Sequence, residues 1–134
     1  MSEKPIGIFD SGIGGLTVLK AVKKLLPLET LIYFADQKHC PYGNRSENEI
    51  RNLTHRCVNE LLKRQCKLVV IACNTATAVA IHSLRKKYKD VTFVGLEPAV
   101  KPAALASKKK QIGVLATENT LKGNHYLNTA NRYK

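Results

Sequence analysis

Residues 67–88 read KLVVIACNTATAVAIHSLRKKY. An unbroken apolar run, LVVIA, gives way within three residues to a segment in which Ala76, Ala80, Leu84 and Tyr88 step by four. A short apolar run without polar alternation is a strand buried on both faces, and a four-residue step is one face of a helix. Strand, abrupt turn and helix in that order are half of a βαβ unit, which commits the sheet to parallel pairing. Thr75 is the expected N-cap of this helix, with Cys73 lying between the strand and that cap.

The same alternation continues outward. Short apolar runs at 5–9, 30–35, 91–95 and 111–116 read as four further strands. Leu16, Leu19, Val22 and Leu25 mark one helix face after the first run, closed by Pro27. Ser46 and Glu49 have capping-box spacing ahead of Ile50, Leu53, Cys57 and Leu61, the stripe of a long helix. That stripe gives Cys57 a structural place. Residues 98–107 read as a short helix that Pro102 weakens, and the polar tail after Thr117 has no clear closing element. The expected fold class is therefore α/β, a mainly parallel sheet flanked by helices. Periodicity alone describes a five-stranded, flavodoxin-like domain with right-handed crossovers.

Length and composition agree. The chain has 134 residues, 44% of them hydrophobic, enough for one core and too many for a disordered chain. No apolar run approaches the ~20 residues of a membrane span, and the opening MSEKPIGIFD has no apolar signal region. The expected location is the cytoplasm. Cys40, Cys57, Cys66 and Cys73 form neither a C-x-x-C pair nor a zinc-like spacing with histidine, so neither a disulfide framework nor a metal is expected. His39, His55, His82 and His125 are scattered, His55 and His82 falling on helices near the surface. The net charge is +12, and it is uneven: residues 1–60 hold 8 basic against 7 acidic side chains, residues 61–134 hold 14 against 3. A nucleic-acid surface is one reading of Arg85-Lys86-Lys87 and Lys108-Lys109-Lys110. Solvated helix ends, where cations suit the dipole, are the favoured one, because no helix-turn-helix, finger or basic-aromatic pattern accompanies the charge.

In open parallel sheets ligands gather beyond the carboxyl ends of the strands. This sequence puts Asp10 and Ser11 there after the first strand and Asp36 after the second, with the Pro41-Tyr42-Gly43 turn nearby. Cys73, Asn74 and Thr75 follow the third strand, and Thr117 and Thr120 the fifth. Carboxylate, thiol, amide and hydroxyls on one edge exceed what a structural edge needs. The turn DSGIGGLTV fails the dinucleotide fingerprint, since Thr17 stands where the third glycine belongs, and no phosphate-loop G-K-[ST] follows. Two readings of Gly12, Gly14 and Gly15 remain: close packing of strand on helix, or a nest for a carboxylate. Cys73 differs from the other thiols because it leads into a helix N-terminus, which favours thiolate. Cys40 precedes Pro41 in a loop, and Cys66 leads into a strand and reads as core.

Taken together, IGIFDSGIGGLTVL, YFAD with PYGNRS, VIACNTATA, VGLEPAVKPA and IGVLATENT resemble the glutamate racemase family, in order and spacing, from about Ile6 to Thr120. The resemblance implies one half of a two-domain racemase, with residues 1–97 as a first α/β domain lacking its closing segment and 98–134 as the start of a second. It implies cofactor-independent racemisation of glutamate by two thiols, supplying D-glutamate for peptidoglycan. No lysine sits at a Schiff-base motif, and no cofactor is expected. Cys73 matches the first catalytic thiol, and Asp10 a position that tunes it and borders the substrate. Ser11, Tyr42, Gly43, Asn74, Thr75 and Thr117 match substrate-binding positions, and Thr120 matches more weakly. The second thiol of such enzymes lies in a later motif resembling G-C-T-H-Y-P, whereas no cysteine here is followed by Thr-His. The chain is accordingly expected to be an N-terminal portion. Its partner is a small molecule, glutamate, with a second copy of the chain left open. The alternative is a remnant that binds an amino acid or another chain without turnover.

Overall fold

The computed structural model describes residues 3–133. Four parallel strands form the sheet: β1 (Ile6–Asp10), β2 (Leu31–Ala35), β3 (Leu68–Ile71) and β4 (Thr92–Gly95). Their spatial order is β2-β1-β3-β4. Ile8 pairs with both Tyr33 and Val70, and Val70 with Val94, so β1 and β3 form the sheet's centre.

The pleat divides the apolar side chains into two layers. Phe9, Val69, Ile71 and Phe93 face α2 (Glu47–Lys63) and α3 (Asn74–Lys87), whose Ile50, Cys57, Leu61, Ala76, Ala80 and Leu84 complete the main core. The α2 and α3 stripes expected from spacing are thus the buried faces, with Leu53 and Tyr88 at their margins. Ile6, Ile8, Val70 and Ala72 face the other way, toward Val18, Leu19 and Val22 of α1 (Leu16–Leu25). This second layer is thin: no α1 residue is fully buried, and Leu25 and Leu28 are 78% and 89% exposed.

Ser46 caps α2 as its spacing predicts, accepting the Glu49 N–H at 3.3 Å. At the other end Gln65 takes φ 58°, and its N–H and that of Cys66 reach back to Leu62 O and Leu61 O. This is the Schellman closure usually built on glycine.

Three expectations are corrected. Residues 111–116 form no strand and have no ladder partners, with Leu115 fully exposed, so among the described residues the sheet has four strands rather than five. The polar tail closes on helices: α5 (Glu118–Leu121) and α6 (Asn124–Arg132) pack on α3, and α6 also on α4 (Val100–Ala106). Pro102 falls in the first turn of α4, where an absent N–H costs nothing. Among the described residues no helix is long and apolar enough to cross a membrane.

Candidate functional site

The chain leaves β1 toward β2 on one side and returns to β3 on the other, so a crevice opens beyond the carboxyl ends of the two central strands. Asp10 ends β1, and Cys73 lies two residues past β3. A cleft of about 400 Å³ at this point is walled by Asp10, Cys73, Asn74, Thr75, Thr117 and Thr120, with Gly14, Thr17, Val18, Leu96 and Leu115 around them.

Asp10 is buried, and its Oδ2 accepts the N–H groups of Gly12 and Gly15, both at 3.1 Å. The nest read from the glycines is therefore filled by the chain's own carboxylate. Close packing is the role the structure gives Gly15, since a Cβ there would lie 2.7 Å from Asp10 Cβ and 3.0 Å from Ala72 Cβ. Tyr33, which sequence reasoning passed over, donates its hydroxyl to Gly12 O at 2.9 Å. Burial and then the Asp10 charge push that phenol up to about 12. Its signal was the β1–β2 register, which places Tyr33 beside Ile8 on the α1 face.

The braced turn carries Ser11, whose Oγ lies 3.6 Å from Cys73 Sγ. Cys73, not Thr75, is the N-cap of α3: Sγ accepts the Ala76 N–H at 3.4 Å. Ala72 N–H still bonds Phe9 O, so the backbone turns into the helix only at residue 73. The Thr75 hydroxyl is turned to other partners, Thr117 Oγ1 at 2.9 Å and Thr120 Oγ1 at 3.5 Å. Thr117 caps α5, lies 3.0 Å from Thr120 Oγ1 and completes a knot of three hydroxyls. Asn74 is exposed at the first position of α3.

Tyr42 is 1% exposed, and its hydroxyl donates to Asp36 Oδ2 at 2.8 Å. The Tyr42 side chain is therefore not free to meet a ligand. Gly43 packs on Thr117, where a Cβ would fall 2.6 Å from Cγ2. Burial tends to raise the Asp36 carboxyl, but hydrogen bonds from His39 and Tyr42 and the charges of His39 and Arg56 hold it below the ordinary range. Burial and the Asp36 charge push the Cys57 thiol up to about 11, and burial raises Cys66. Both are buried as expected, and Cys40 is exposed. His55 is half-buried rather than superficial, 2.8 Å from Ser83 Oγ, and His82 stacks on His125 at 4.8 Å. Among the described residues no three His, Cys, Asp or Glu side chains converge as metal ligands do.

A buried carboxylate bracing a glycine turn, a thiol capping a helix, and a knot of hydroxyls around one cleft can bind a polar zwitterion and move one of its protons. Comparison with known proteins points the same way. Residues 16–134 match the family model for Asp/Glu/Hydantoin racemase. The chain is 53% identical over 122 residues to a glutamate racemase of Roseiflexus sp. (strain RS-1), covering 91% of this chain and 45% of that protein. It is 48% identical over all 134 residues to a glutamate racemase of Clostridium novyi (strain NT), covering 52% of that protein. Among solved structures, Aquifex pyrophilus glutamate racemase superposes with a TM-score of 0.86 at 39% identity, covering 96% of this chain and 51% of that one. Escherichia coli glutamate racemase, solved with L-glutamate and the activator UDP-MurNAc-ala, gives 0.87 at 38%, covering 97% and 49%. The chain spans about half the length of the curated relatives it matches.

Proposed function

The chain belongs to the Asp/Glu/Hydantoin racemase family, and from that premise we propose that it is the N-terminal portion of a glutamate racemase carrying the first of two catalytic thiols. The observation that carries this reading is Cys73 Sγ, held by the Ala76 N–H and beside Ser11 Oγ at the mouth of the central crevice. Sγ thus has a main-chain N–H and a hydroxyl within reach at the start of α3. The thiolate takes the α-proton of glutamate from one face, and the C–H electron pair stays on the α-carbon, spread into its carboxylate. A second thiol on the opposite face, absent from this sequence, gives its proton to that carbon and completes inversion. Asp10 acts by fixing the turn that carries Ser11 and by bordering the substrate. Asn74, Thr75, Thr117 and the main chain at Gly43 hold the carboxylates and ammonium. Tyr42 contributes by anchoring its loop, its hydroxyl being committed to Asp36. No cofactor is needed, and the D-glutamate formed would enter peptidoglycan.

The domain division is part of the proposal: residues 1–97 as a first domain, and 98–134 as the beginning of a second. A remnant that binds glutamate without turnover is the second reading, favoured by the lone cysteine in the cleft.

The test is L-glutamate in D₂O, read for α-deuteration and chirality. The 134-residue chain alone is expected to give no inversion. Joined to the remaining half of the C. novyi relative, it is expected to invert glutamate with uptake of α-deuterium. Cys73→Ser should then lower the rate by about 10²–10⁴-fold, the usual worth of one acid–base group, while the serine still caps α3. A folded chimera without exchange, or one indifferent to Cys73→Ser, would overturn the reading.

A further inference from the structure

Thr117 and Gly43 come from segments 74 residues apart in sequence, and neither segment belongs to the sheet. Residues 111–116 lead into Thr117 without pairing, and α5 is a single turn. The loop through Gly43 is irregular. Between Thr117 and Thr120 stands Asn119, which lies in the IGVLATENT motif but was given no role there. Its amide nitrogen donates to Arg45 O at 3.1 Å and to Gly43 O at 3.4 Å. Both donors of one side chain are thus spent on a single loop. The same junction seats Gly43 against the Thr117 methyl with no room for a side chain. Sliding α5 along the loop would therefore move the Thr117 hydroxyl relative to Thr75 and to the cleft.

We infer that Asn119 is a positioning residue for glutamate, clamping the loop at Gly43–Arg45 to α5 so that the Gly43 main chain and the Thr117 hydroxyl form one shelf; this rests on the glutamate-site reading above. Asn119 touches neither Cys73 nor the turn that braces it. Its loss should weaken the hold on glutamate and leave the thiol's own reactivity alone. Asn119→Asp keeps the shape but sets a carboxylate against two carbonyl oxygens, and Asn119→Ala removes the donors without repulsion.

The experiment uses the 134-residue chain and follows alkylation of Cys73 by iodoacetamide, resolved from the other three cysteines by peptide mass mapping, across an L-glutamate titration. In the wild type, glutamate is expected to slow alkylation. Asn119→Asp should need about tenfold more glutamate for half-protection, with its rate in the absence of glutamate within twofold of wild type. Asn119→Ala should shift the same way by a smaller factor, and it carries the test if the aspartate variant does not fold. Unchanged half-protection in a folded variant overturns the clamp alone. A parallel change in the unliganded rate also overturns it, because the role would then be merely structural. Failure of glutamate to protect wild-type Cys73 overturns the glutamate-site reading and the clamp with it.

Discussion

His55 shows how a single proton couples to the fold. Ser83 Oγ donates to Ala80 O, so it must accept from His55, and the ring carries its hydrogen on Nε2. Nδ1 is then bare, buried and without a partner. Protonating it would place a charge where burial, followed by Lys87 and Arg51, already holds the imidazole below its usual range. The folded value is depressed, so this group's contribution is intact above the unfolded value of 6.5 and is lost as pH falls through the folded one. Asp36 is also depressed, and its contribution is lost below the ordinary 3.8. Urea midpoints should therefore fall from pH 7.5 to pH 5, and His55→Gln should flatten that limb while leaving the loss below pH 4 in place. An equally steep limb in the variant would assign the loss to other groups. None of this is written in the residues near His55; it depends on Ser83, 28 positions away. The positions of Cys73 and Asp10 at the crevice, in contrast, were legible, because each closes an apolar run that announces a strand. The cap was misread because the ranking of capping residues favours Thr75, whereas the ladder runs one residue past β3 and hands the turn to Cys73.

At the level of elements, the four strands were legible because each βα pair carries its own apolar run, turn and amphipathic helix. The run at 111–116 has the same composition and no ladder, since a strand is made by the edge offered to it rather than by its own preference. The tail helix α6 was missed because its nine residues are mostly polar and its apolar face is short, Tyr126, Leu127 and Ala130, with its support coming from α3 and α4. Within α2 the C-terminal closure gives a direct test. Gln65 holds a left-handed backbone that costs an ordinary residue about 1 kcal/mol or more, and its side chain is exposed. Gln65→Gly should raise stability in urea by about 0.5–1 kcal/mol, since glycine adopts this conformation freely and the two closing hydrogen bonds are main-chain. A lower midpoint would mean that the closure is not strained.

Across the whole molecule the two faces of the sheet are unequal. One is sealed by α2 and α3; among the described residues the other is covered by the single helix α1, with Ile13, Leu16, Leu25 and Leu28 exposed on or beside it. An apolar surface of this kind drives association, while a net charge of +12 opposes it. The 134-residue chain should accordingly show a sedimentation mass that grows with concentration, and more steeply as salt screens the charge. Leu25→Lys with Leu28→Lys should return it to a monomer. A constant monomer mass at all salt concentrations would refute this. Nucleic-acid binding through the same charge would have the opposite salt dependence.

The bare passage at 111–116 also decides where the polypeptide is open to cutting. Just before it stand Lys108, Lys109 and Lys110, all exposed, so trypsin meets its recognition residue three times where no ladder shields the main chain. One nick there leaves the four-stranded sheet whole and releases the covalent hold on the piece bearing Thr117, Asn119 and α6. What keeps that piece in place is then noncovalent: the hydroxyl knot, the two Asn119 bonds, the stack of His125 on His82, the contact of His125 with Glu97 at 3.0 Å, and the close approach of Gly123 to Ala78. The nick turns an intramolecular fit into a bimolecular affinity, and the strength with which the cleft is assembled becomes a dissociation constant.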